Sequence, residues 1–208
     1  MRMNQGENQA VLRGVVANTP ALSHRVHSLS FYRFPMSVPR LSGKEDILNI
    51  LVAETTLETS PLSIGSQIEV TGEIRSFNNR SNIGSRLVIT PFAKTIVHTT
   101  APPCNEVTLS GVICKPPILR RTPLGRDICD LLLAVNRKYR RADYLPCIAW
   151  GSLALFCSHL EIGDCITLDG RLQSRVYTKT IGETSIEHTA FELSIMSLDT
   201  IASQNALP

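Results

Sequence analysis

The chain repeats itself. Gly14 in VLRGVV matches Gly111 in TLSGVI 97 positions later, and at the same offset Val38–Arg40 (VPR) falls on Val135–Arg137 (VNR). Asp46–Leu51 (DILNIL) falls likewise on Asp143–Ile148 (DYLPCI). After one residue of slippage, Gly65–Ser76 (GSQIEVTGEIRS) lies on Gly163–Ser174 (GDCITLDGRLQS). Four blocks in register with one single-residue gap define two copies of a unit of about 100 residues. The expected domains are 1–98 and 105–202, joined by the proline-bearing stretch HTTAPPC (His98–Cys104). Whatever the fold is, about 100 residues must close it, and the chain must do so twice.

Each copy reads as β-structure. Ile166, Leu168, Gly170 and Leu172 alternate with Cys165, Thr167, Asp169 and Arg171, the period-two pattern of a half-buried strand. Leu131, Leu133 and Val135 alternate in the same way, and Phe34, Met36 and Val38 hold the matching positions in the first copy. Between the third and fourth strands of the second copy, Leu153, Phe156, Cys157 and Leu160 recur at helical spacing behind Ser152, a candidate N-cap. The first copy offers a poorer helix there, ETTLETSPL, stopped by Pro61. Five short strands with one helix before the fourth predict an all-β chain of two Greek-key barrels of the OB type. Periodicity alone leaves other small barrels open.

Composition removes several function classes. The longest apolar runs, such as Leu131–Val135, are far shorter than the roughly 20 residues that a membrane-spanning helix needs. The N-terminus MRMNQGENQAVLRG has no apolar core behind Arg2, so no signal peptide is expected and the cytoplasm is the expected compartment. The six cysteines include no CxxC pair and no histidine at zinc-ligand spacing, and most sit in strand-like apolar runs, where they read as core filling. No GxSxG, Gly-Lys-Ser phosphate loop or HExxH is present, and the five histidines are scattered. An enzyme is not expected, nor a cofactor or a metal.

The order NEVTLSGVI, TPLGRDICDLLLAVNR, DYLPCIAWGSLA, GDCITLDGRLQSRVY resembles the bacterial single-stranded DNA-binding protein family from about Asn105 to Leu198. The first copy resembles it only through the repeat. The resemblance implies the OB barrel, and it places Tyr144, Trp150 and Tyr177 on the family's base-stacking positions. Strand parity agrees independently. Tyr144 and Trp150 are six apart and share a face opposite Leu145, Cys147 and Ala149, while Tyr177 shares one with Arg171, Gln173 and Arg175. At the three stacking positions the first copy has Ile47, Ala53 and Asn79, and its Tyr32 and Phe34 have core parity.

Charge points the same way. The net charge is only +3, yet Lys115–Arg141 holds eight Lys or Arg against two Asp. Arg120, Arg121 and Arg126 fall in a candidate hairpin, PPILRRTPLGRD, and Arg137, Lys138, Arg140 and Arg141 in a loop that also carries Tyr139. Two basic loops beside an aromatic-bearing sheet, with Arg171 and Arg175 on it, are suited to phosphate contact. The expectation is sequence-tolerant single-stranded DNA binding by the second copy in replication, repair or recombination, with the first copy as scaffold. The alternative is an OB adaptor that mainly binds protein in a replication, primosome or conjugation complex. The chain ends SLDTIASQNALP with Asp199 as its only acid there, so the acidic partner-recruiting tail of the family is not expected. That places it nearer the tail-less primosomal protein PriB in role. Two barrels per chain also predict a homodimer with four.

Overall fold

The structure, a computed structural model, describes residues 7–79, 86–138, 141–181 and 184–201. Tyr139 and Arg140 therefore lie outside the described residues. Contacts divide the chain into two compact units. One comprises Gln9–Arg75 and Ile89–Glu106, and the other Val107–Pro208 together with Met1–Asn8 and Ser76–Val88.

The first barrel is built on β1 (Asn8–Val16), β2 (Ala21–Val26), β3 (Leu29–Pro39), β4 (Glu45–Ala53), α1 (Glu54–Thr59), β5 (Gln67–Asn78) and β6 (Leu87–His98). Its strands run in the order β2-β3-β4-β6-β5-β1, and β3 also pairs with β1. That last pairing closes five strands into a barrel and leaves β2 hairpinned onto β3 outside the ring. The second barrel uses β7 (Cys104–Ile113), β8 (Ile118–Arg121), β9 (Asp127–Asn136), β10 (Ala142–Trp150), α2 (Ser152–Cys157), β11 (Cys165–Ile181) and β12 (Thr184–Ile201). Its order, β8-β9-β10-β12-β11-β7 with β7–β9 closing the ring, is the same. In both, one pair is parallel, β4 with β6 and β10 with β12. These are tandem all-β OB barrels, each with a short helix between its third and fourth barrel strands.

Closure explains why the repeat's glycines stand out. Val15 pairs with Ser37 across β1–β3, and Val112 with Ala134 across β7–β9, the same register 97 residues on. A Cβ on Gly14 would stand 2.2 Å from the Ser37 carbonyl oxygen, and one on Gly111 2.6 Å from that of Ala134. Only glycine lets the first strand approach the second so closely.

The cores correspond position by position. Leu12, Val16, Met36, Leu48 and Ile68 are buried in the first barrel, and Leu109, Ile113, Leu133, Leu145 and Ile166 in the second. Where the first has Phe34, Ile50 and Val52, the second has the smaller Leu131, Cys147 and Ala149. The helices differ to match: α1 buries no residue, whereas α2 buries Ala154 and Cys157. Close packing demands some such exchange of volume. Burial raises the Cys147 thiol and pushes Cys157 up to about 11. Both thiols stay protonated at neutral pH and act as small apolar groups.

Two local expectations need correction. Ser152 is the first helical residue rather than the N-cap, which is Gly151 at φ 60°, and Phe156 is exposed while Ala154 is buried. A helix of six residues buries too narrow a stripe to carry four apolar positions. Tyr32, though of core parity, is only half-buried, because its hydroxyl reaches out to donate to Glu54 Oε1 at 3.1 Å.

The fourth repeated feature is an ion pair. Asp46 and Asp143 are fully buried, and each accepts two hydrogen bonds from an arginine six residues earlier, Arg40 and Arg137. Both arginines also start the same turn, with Arg40 N donating to Lys44 O and Arg137 N to Arg141 O at 2.7 Å.

Candidate nucleic-acid interface

β10 alternates as its sequence demands. Asp143, Leu145, Cys147 and Ala149 point inward, while Tyr144 and Trp150 face outward, 48% and 41% exposed. Directly opposed residues on neighbouring strands share a face, so the register shows what surrounds each ring. Trp150 stands opposite Ile128, which stands opposite Arg120 on β8. Tyr144 stands opposite Ala134, and Ala134 opposite Val112. Only a methyl group flanks Tyr144 on the β9 side.

The stripe on β11 joins this face. Ile148, of the same parity as Tyr144 and Trp150, pairs with Ser194 on β12, and Ser194 pairs with Arg171 on β11. Arg171, Gln173, Arg175 and Tyr177 therefore lie on the face that carries the other two rings, with Tyr177 36% exposed. One outer surface thus presents three part-exposed rings and two arginines.

The basic residues fall into two classes. Arg120 is held by Asp130 at 2.5 and 3.1 Å, Arg121 by Asp127 at 2.9 Å, and Arg175 by Glu192 at 3.6 Å. The carboxylates raise the Arg120 and Arg121 guanidinium values further. Arg137 is taken up by buried Asp143. Arg126, Lys138, Arg141 and Arg171 have no ion-pair partner among the described residues. Sequence reading put all of these cations in one class. The clue it missed was the arginine-to-aspartate spacing of six, present in both copies as VPRLSGKED and VNRKYRRAD.

A second missed feature lies beside Tyr144. Ser76, in the segment that belongs to this unit, donates from its backbone N to Asp143 Oδ1 at 2.5 Å. Its hydroxyl accepts from Tyr144 N at 2.7 Å, and its carbonyl accepts from Arg137 at 3.4 Å. Next to this joint is an open groove of about 490 Å³. Asn78, Arg86 and Leu87 form one wall, and Lys115, Leu132 and Tyr144 are among the residues of the other.

The first barrel carries a different outer surface. Ile47, Ser37 and Val15 form the row that corresponds to Tyr144, Ala134 and Val112, and Ile47 is 44% exposed. Trp150 corresponds to Ala53, yet the residue opposite Ala53 is Phe31 where the second barrel has Ile128. Phe31 stacks on His24 with centroids 5.0 Å apart and lies 6.2 Å from Phe92, over which Arg75 sits at 5.8 Å. The ring has changed strands rather than vanished. No pattern along a single strand shows this, because β4 separates β3 from β6.

Residues 104–197 match the single-strand binding protein family. This region is a domain of that family. The single-stranded DNA-binding protein of Halalkalibacterium halodurans is 32% identical over 108 residues, covering 49% of this chain and 64% of that protein. Single-stranded DNA-binding protein A of Bacillus subtilis is 37% identical over 86 residues, covering 38% of this chain and 50% of the relative. The chain spans about half to two thirds of the length of the curated relatives it matches first. The wild-type single-stranded DNA binding protein of Thermus aquaticus has a similar fold over nearly the whole length. That match has a TM-score of 0.79, covers 99% of this chain and 98% of that one, and is 23% identical. The family match thus falls on the second repeat, and the fold likeness extends to the first. Among the described residues, no helix is long and apolar enough to cross a membrane.

Proposed function

We propose that this protein binds single-stranded DNA with little sequence preference and without catalysis, in replication, repair or recombination in the cytoplasm. The outer face of the second barrel is the principal contact. The observation that carries this reading is the set of three part-exposed rings, Tyr144, Trp150 and Tyr177, on one face of a closed barrel. Every base has a π-face, so stacking at about 1–3 kcal/mol per base, the general scale for proteins of this family, gives affinity without reading sequence. Arg126, Lys138, Arg141 and Arg171 supply cations for phosphates. Titration with oligo-dT, against duplex of equal length, tests the reading. Four phosphate contacts predict that log K falls by about 3 per tenfold rise in salt. Equal affinity for duplex, or a slope near zero, would discard it in favour of an adaptor that binds protein.

In this reading the first barrel is mainly scaffold, and its exposed Ile47 and Val15 suit contact with protein. The full assembly is a homodimer with four barrels, closed by two-fold symmetry. Sedimentation that finds only a 22.9 kDa species at micromolar concentration would overturn the dimer. A second reading is favoured by the His24–Phe31–Phe92–Arg75 ladder, which offers the first barrel a stacking surface of its own.

A further inference from the structure

The groove beside Tyr144 has an owner that the repeat does not suggest. Part of its lining, Asn78, Arg86 and Leu87, comes from the end of β5 and the start of β6, a segment that belongs to the first repeat in sequence and to the compact unit of the second. The hairpin is still paired at this point, with Asn79 N donating to Arg86 O at 2.8 Å. Three hydrogen bonds through Ser76 tie its root to the backbone and side chains next to Tyr144. The wall is thus fixed with respect to the ring, as a binding site requires.

The chemistry of the lining suits one nucleotide. Tyr144 offers an aromatic face, and Leu87 and Leu132 offer apolar surface for the edge of a base. Arg86 and Lys115, both exposed, place a cation on each wall, and the Asn78 amide carries both donor and acceptor. At about 490 Å³ the groove lies in the range of small-ligand sites, about 300–1,000 Å³, and is open enough for a strand to run on. Two exposed cations and a half-exposed ring line the same groove.

We propose that one nucleotide of the bound strand occupies this groove, its base on Tyr144 and its phosphate between Arg86 and Lys115. The first repeat therefore contributes Asn78 and Arg86 directly to the second repeat's binding site. This rests on the single-strand reading above and adds a subsite to it.

A double-mutant cycle on oligo-dT tests the proposal, with folding of every variant checked by circular dichroism. Arg86→Ala should weaken binding several-fold and reduce the salt slope by about 0.7, the contribution of one phosphate. Arg86→Lys should restore most of the slope. Combined with Tyr144→Ala, the loss should be smaller than the product of the single losses, because residues sharing one ligand group are coupled. An oligonucleotide bearing 4-thiothymine should photocrosslink to the hairpin peptide. Normal binding and slope in Arg86→Ala and Asn78→Ala, or strictly multiplicative losses, would overturn the subsite and leave the function standing. Failure of the unaltered chain to bind oligo-dT would remove both.

Discussion

The two barrels agree inside and disagree outside. Strand closure, the glycine approaches at Gly14 and Gly111, and the buried pairs Arg40–Asp46 and Arg137–Asp143 recur in register. The outer rows do not. Val112–Ala134–Tyr144 becomes Val15–Ser37–Ile47, Trp150 becomes Ala53, and Arg171 becomes Glu73, which pairs with Arg75 and Lys94. A core position has few acceptable occupants because packing constrains it from every side. An outward position on a strand constrains almost nothing in the fold, so it is free to follow whatever the barrel touches. The difference between the outer faces is therefore the better guide to what each barrel does.

The sharpest way to break the comparison is to remove rings in matched pairs. Tyr144→Ala with Trp150→Ala should cost about 2–6 kcal/mol of oligo-dT affinity, two stacks at about 1–3 kcal/mol each. Phe31→Ala with Phe92→Ala should cost much less, since those rings are half-buried and engaged with His24 and Arg75. Equal losses from two folded variants would mean that both barrels hold the strand, and the ladder rather than the scaffold would describe the first.

The next lesion tests sameness instead. Arg40→Ala and Arg137→Ala each leave a fully buried aspartate without its guanidinium, a loss of about 3–5 kcal/mol. Urea unfolding should show similar penalties in both. If Arg137→Ala left stability intact and lowered only DNA affinity, the sequence-based assignment of Arg137 to phosphate contact would be the better one.

These experiments also mark what was legible in the sequence. Parity is local, a matter of alternate residues along one strand, so the inward set from Leu131 to Val135 and the outward positions of Tyr144, Trp150 and Tyr177 could be read directly. The barrel followed from the repeat and from the position of the helix. Other features depend on which strands become neighbours. The Phe31–Phe92 contact spans β4, and the Ser76 joint links positions 67 residues apart. Neither leaves a periodic trace. The Arg137–Asp143 pair was hidden for a different reason. A basic run looks alike whether its members face solvent or a buried carboxylate, and only the matching Arg40 and Asp46 distinguish the two.

The smallest expected effect separates the two classes of cation. Arg126 and Arg141 have no ion-pair partner among the described residues, whereas Arg121 is held by Asp127 at 2.9 Å. A free guanidinium near the strand releases about one condensed counterion's worth of slope when it meets a phosphate, about 0.7 in log K per tenfold salt. One already paired must share its charge, and its removal leaves the partner carboxylate exposed to water at little cost to the fold. Arg126→Ala and Arg141→Ala should therefore each flatten the slope by about 0.7, and Arg121→Ala by distinctly less, with all three unfolding at nearly the wild-type urea midpoint. A full 0.7 from Arg121→Ala would show that the strand displaces Asp127 on binding. The ion pairs of the β8–β9 hairpin would then be a reserve of phosphate contacts, absent from the first barrel, where His24 and Phe31 hold the corresponding strands together.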